Sequence, residues 1–157
     1  MITCEMFQEV ALPIRRLNDA DWFGMRRQFA VDEPVLSRLK DLAPGGWSDD
    51  AQAYFERLLV AIRATFKQYF PAPGPIRPEE VEEATGLIMP YFRRPGVCLC
   101  GRFQASLMKC VAGETERSID EGTLTTAEGN HIALLAVVAI EALDLAAAAA
   151  RWFPAGG

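Results

Sequence analysis

An all-α fold, a single-domain bundle of about five to seven helices, follows from three observations. Apolar residues recur at three- and four-residue spacing through most of the 157 residues. Helix-start signals precede several of those segments. No stretch alternates strictly for long enough to argue for a sheet. With half of the residues hydrophobic and 24% charged, the composition is that of a chain that buries a core without staples, not of a disordered one. The chain is read as one helical domain, 1–157, with a sub-bundle boundary at the proline-rich 71–75.

Residues 2–12 predict a short helix ended by Pro13. Asn18 or Asp19 caps a second helix reaching about Phe29. Asp32-Glu33-Pro34 starts a third, because proline suits a first turn and acids suit the positive dipole end. Val35, Leu36, Leu39 and Leu42 would form its stripe, and Pro44-Gly45-Gly46 would end it. The strongest period follows a cap at Ser48, Asp49 or Asp50. Phe55, Leu58, Leu59, Ile62, Phe66 and Tyr69 mark one face of a long helix, stopped by Pro71-Ala72-Pro73-Gly74-Pro75.

Pro78-Glu79-Glu80 opens another helix, with Pro90 kinking or ending it. From Leu99 to Glu121 the pattern predicts one helix with Phe103, Leu107, Cys110 and Val111 inward, and Gly122 just past its end. Gly96 to Cys100 is the one strand-like piece. Thr125 to Glu128 is a capping box ahead of a last helix from Thr126 to Trp152. Ile132 to Ile140 is apolar all round, the mark of a helix at the centre of something. Its length approaches a bilayer span. Glu141 and Asp144, at about 2.5–3.5 kcal/mol each on insertion scales, favour a buried bundle helix over a membrane one.

A net charge of −5 repels phosphate backbones and anionic membranes on average, so neither nucleic acid nor a membrane is an expected partner. Of the 16 basic residues only Lys40, Lys67 and Lys109 are lysines, an arginine bias suggesting a bacterium or its phage. Met1 to Met6 carries no secretion-signal pattern. The expected setting is therefore cytoplasmic, with the four cysteines as free buried thiols.

Catalytic chemistry is sparsely represented. There is no phosphate-binding glycine loop, no G-x-G-x-x-G and no G-x-S-x-G elbow. His131 is the one histidine, so Glu128-x-x-His131 is half of a di-metal pattern that the chain cannot complete alone. Cys98, Cys100 and Cys110 are a weak metal alternative, because zinc sites usually space their cysteines by two to four residues. No cofactor is expected, and the balance leans away from an enzyme.

What remains is a binding protein. Arg15-Arg16, Arg26-Arg27 and Arg93-Arg94 could meet a carboxylate-rich partner if folding gathered them. Trp22 and Trp152 are candidate interface anchors. The expected function is a non-enzymatic protein-binding module, an adaptor, inhibitor or immunity-type protein, with Arg15, Arg16, Arg26, Arg27, Trp22 and Trp152 touching another protein. The small-residue run Ala146 to Ala150 offers a homodimer face. The alternative is a small-molecule or metal-binding helical sensor with regulatory cysteines.

Overall fold

In a computed structural model, residues 1–42, 45–70, 74–93 and 99–152 are described, with the backbone alone for Cys100, Ala150, Arg151 and Trp152. Among these residues the fold is all-α. Its helices are α1 (Cys4–Arg15), α2 (Asp19–Asp32), α3 (Asp49–Tyr69), α4 (Pro78–Arg93), α5 (Ala105–Asp120) and α6 (Thr126–Trp152), with two 3-10 segments at Leu36–Leu42 and Leu99–Gly101.

α6 sits at the centre. Ala136 to Leu143 are buried without interruption, as an all-round apolar sequence requires. α4, α5 and α3 surround it. By length and composition α6 is the one helix among the described residues apolar enough to cross a membrane, and 67% of that apolar window is buried in the bundle. Glu141, only 1% exposed, is answered by the Arg102 guanidinium. Asp144 accepts a bond of 3.0 Å from Gln104 Nε2, and Gln104 Oε1 accepts the Ile2 N–H at 2.9 Å. The polar strip of α6 is thus used inside the bundle, and it draws the N-terminus against α5.

α1 packs on α3 and α5 through Phe7, Ala11 and Ile14. It continues past Pro13 to Arg15, further than expected. A proline in the last turn removes a single bond, and burying Ile14 keeps that turn wound. α4 likewise runs through Pro90 to Arg93. α2 is capped by Asn18, whose Oδ1 accepts the Asp21 N–H at 2.8 Å, and extends to Asp32.

The expected third helix is instead the 3-10 segment Leu36–Leu42. Its leucines are three residues apart, so in a 3-10 helix they line one edge. Leu36 and Leu39 are buried there, while Leu42 is exposed. Glu33, just upstream, serves a tertiary purpose. It is 1% exposed, pairs with Arg63 Nε at 2.9 Å, and accepts the Ile76 N–H at 2.9 Å.

The helix expected over Leu99 to Glu121 is also divided. A 3-10 turn at Leu99–Gly101 precedes α5; Arg102 and Gln104 lie between, turned toward α6, and Phe103 is exposed rather than inward. At the far end Gly122 adopts φ +81°, and the Thr123 and Leu124 N–H groups bond back to Ser118 O. That turn sets α5 and α6 as neighbours, and Gly129 lets Ile119 of α5 approach where a Cβ would collide. The core is one cluster drawing on residues from both sides of 71–75. Of the strand-like piece Gly96 to Cys100, residues 96–98 lie outside the described residues.

Removing one partner of a buried ion pair is costly because the other charge stays behind. Glu33→Ala is expected to lower unfolding stability by about 3 kcal/mol, about 6–12 °C in Tm for a domain of this size, read by thermal denaturation beside Asp32→Ala, whose side chain is exposed.

Candidate binding surface around α2

α2 is the least embedded helix: none of its residues is buried. It touches α3 and the Leu36–Leu42 segment. Its inward side carries Trp22, Arg26 and Phe29, whose partners lie largely on α3. The Arg57 guanidinium lies over the Trp22 ring at 4.6 Å. The same guanidinium donates to Ile14 O at 3.1 Å and to Arg15 O at 3.3 Å, closing the C-terminus of α1. Arg26 grips Glu56 through Nε at 2.7 Å and through its terminal nitrogen at 3.1 Å. Lys40 reaches the same carboxylate at 2.9 Å.

The outward side is apolar as well. At 100° per residue Ala20, Phe23, Gly24, Arg27 and Val31 fall on one stripe, and all five are exposed. Phe23 is 57% and Val31 74% exposed, and Arg27 lies over the Phe23 ring at 5.7 Å. Two apolar faces cancel in any one-sided reading of amphipathicity.

The arginines expected to meet a partner have individual placements. Arg15 pairs with Glu114 at 2.5 Å, Arg26 with Glu56, and Arg27 with Phe23. Arg16 and Arg93 are exposed, and Arg94 lies outside the described residues, as does the side chain of Trp152. Ala146 and Ala147 of the expected dimer face are buried within the bundle. Sequence reasoning missed Arg57, Glu56 and Glu33, whose partners are 16 to 43 residues away.

The cysteine expectation is corrected. Cys4 and Cys110 form a disulfide with Cα atoms 5.5 Å apart, a separation suited to the bond. Packing α1 against α5 brings them together, which spacing along the chain could not reveal. Cys110 therefore has no thiolate for a metal. Cys98 and the side chain of Cys100 lie outside the described residues, and among those described no group of three His, Cys, Asp or Glu side chains is placed to hold a metal.

Glu128 has a structural assignment too. Its carboxylate accepts the Ser48 N–H at 2.9 Å and the Thr125 N–H at 3.1 Å, while its own N–H donates to Thr125 Oγ1 at 3.1 Å. It joins the capped starts of α3 and α6. His131 lies one turn on, its ring 6.5 Å from that of Trp47. The backbone bonds from Ser48, then from Thr125, hold the Glu128 carboxyl at about 2, below its ordinary 4.5. The folded pKa is depressed, so this contribution is complete above about pH 4.5 and is lost as pH falls through about 2. Glu128→Gln should be less stable than the parent at pH 6, with the gap closing by pH 2, as read from denaturant midpoints across pH.

The disulfide closes a loop with 106 residues of sequence separation. Cys4→Ala with Cys110→Ala should lower stability by about 2–4 kcal/mol. Urea unfolding with and without reductant checks this: the parent should lose a comparable amount on reduction and the double variant nothing.

No known protein family, curated protein or solved structure matches the chain.

Proposed function

We propose that the protein is a non-enzymatic protein-binding module, an adaptor, inhibitor or immunity-type protein, whose docking element is α2. The carrying observation is the outward stripe, Ala20, Phe23, Gly24 and Val31 with Arg27 among them, left exposed on a helix whose other side already holds it to α3. A stripe at three- and four-residue spacing matches the ridge-and-groove surface of another helix. Gly24 has open space where a Cβ would stand, which permits close approach of a neighbouring backbone. The partner this face fits is an amphipathic helix with an apolar centre to cover Phe23 and Val31 and a carboxylate to meet Arg27. Aromatic and arginine anchors of this kind dominate binding energy at interfaces.

Of the residues expected to touch a partner, Arg27 lies on this stripe, and Trp22 and Arg26 support it from below. Pairing of Arg15 with Glu114 and of Arg26 with Glu56, on a chain of net charge −5, supports leaving nucleic acid out of the reading. The reading includes neither a membrane nor a cofactor. Disulfides are rare in mesophilic cytosols, so the Cys4–Cys110 bond supports an oxidising setting over the expected cytoplasmic one.

The test is the native mass of the protein purified from the cells that make it, as the parent and as Phe23→Glu with Val31→Glu. The parent should carry an added protein mass that the double variant loses, a weakening of about 2 kcal/mol or more, while both keep the same Tm because the altered side chains are exposed. A parent without a partner, or a partner retained by the double variant, overturns the proposal.

A further inference from the structure

A cleft of about 260 Å³ lies between α2, the Leu36–Leu42 segment and α3. Its apolar lining is Phe29 and the edges of Leu59 and Val60, with the fully buried Phe55 behind them. The cleft lies beside α2, which rests on α3 through Trp22 and Phe29, and beside the 3-10 segment, whose Leu36 and Leu39 turn under toward the core. Around the mouth are Arg26, Arg38 and Lys40, with Ser37, Glu56 and Asp41.

The charges on this rim are unequal. Three cations face two carboxylates, so the mouth is positive on a molecule whose net charge is −5. Glu56 is already held between Arg26 and Lys40. Those two cations therefore show how this corner receives a carboxylate, and they hold each other's geometry through it. Arg38, exposed on the same rim, forms no ion pair among the described residues. A guanidinium is suited to a planar, two-oxygen anion.

An apolar floor with a few polar groups at the edge is the general form of a small-molecule site. The volume is just under the roughly 300–1,000 Å³ usual for such sites, which limits the occupant to a small one. We infer that this cleft binds a small amphipathic carboxylate, its hydrocarbon part against Phe29, Leu59 and Val60 and its carboxylate on Arg38, with Lys40 beside it. The outward stripe of α2 takes no part, so the inference stands apart from the protein-binding reading.

Decanoate, below its micelle concentration, is the probe, titrated calorimetrically into the whole protein at low salt. Parent protein should bind it saturably at one site. Arg38→Gln should weaken binding about tenfold, the scale of one lost charge-assisted hydrogen bond. Ala30→Trp, an exposed position on the cleft wall, should fill the space and weaken it at least as much. Decyltrimethylammonium, with the same tail and the opposite charge, should not bind. The Phe23→Glu and Val31→Glu double variant should bind decanoate like the parent, which separates this outcome from failure of the docking surface. Absence of saturable decanoate binding, parent-like affinity in Ala30→Trp with its Tm preserved, or equal binding of the cationic amphiphile overturns the inference.

Discussion

Covering α6 on every side is the constraint on which the rest of the structure depends. A helix apolar around its circumference cannot lie on a surface, so at least three neighbours must enclose it, and α3, α4 and α5 do. Enclosure raises a second demand. Glu141 and Asp144 are carried inside with the apolar residues, and each needs a partner on a neighbouring element. Arg102 and Gln104 meet that demand, and they do so by interrupting the helical path before α5. The exposed Phe103 and the 3-10 turn at Leu99–Gly101 are thus local consequences of a requirement set about 40 residues later.

α2 is outside this enclosure. It contributes no buried residue and is fastened by side chains on α3: Arg57 under Trp22 and Glu56 across Arg26. α3 therefore has two roles, an apolar face toward α6 and a charged flank that carries α2. A helix held by Trp22, Phe29 and a few polar clasps, with a hollow beside it and apolar groups on its far side, contributes little to the core. Such elements come from the low-stability end of a structure.

Much of the fold was legible because it is written in local chemistry. The caps Asn18, Ser48 and Thr125, the Thr125–Glu128 box, the turn at Gly122, and the bounds of α3 and α6 each depend on groups within a few residues of one another. What escaped depends on distant partners. Leu36 and Leu39 could be read as either kind of helix until Glu33 was committed to Arg63 and Ile76. Cys4 and Cys110 are joined only once α1 lies along α5. The α2 region was legible in part: Trp22, Arg26 and Arg27 were marked, but for their residue types. The stripe Ala20–Phe23–Gly24–Arg27–Val31 was present in the sequence, but a second apolar face opposite Trp22 and Phe29 leaves no one-sided pattern to read. The cleft had no local signature, because its walls come from three elements.

The Cys4–Cys110 bond also gives the chain an unusual covalent topology. Everything from α1 to the first turns of α5 belongs to a closed ring, and α6 is a tail that leaves the ring and fills its centre. A single break of the backbone anywhere in the ring, in the turn before Asp19 or the one before Pro78, leaves one covalent molecule with all its helices still attached. A single break in the turn after α5, at residues 121–125, detaches the helix around which the others are arranged. Cleavage within the ring thus leaves one covalent piece, whereas cleavage past Cys110, as in the largely exposed turn at 121–125, leaves α6 held by packing alone.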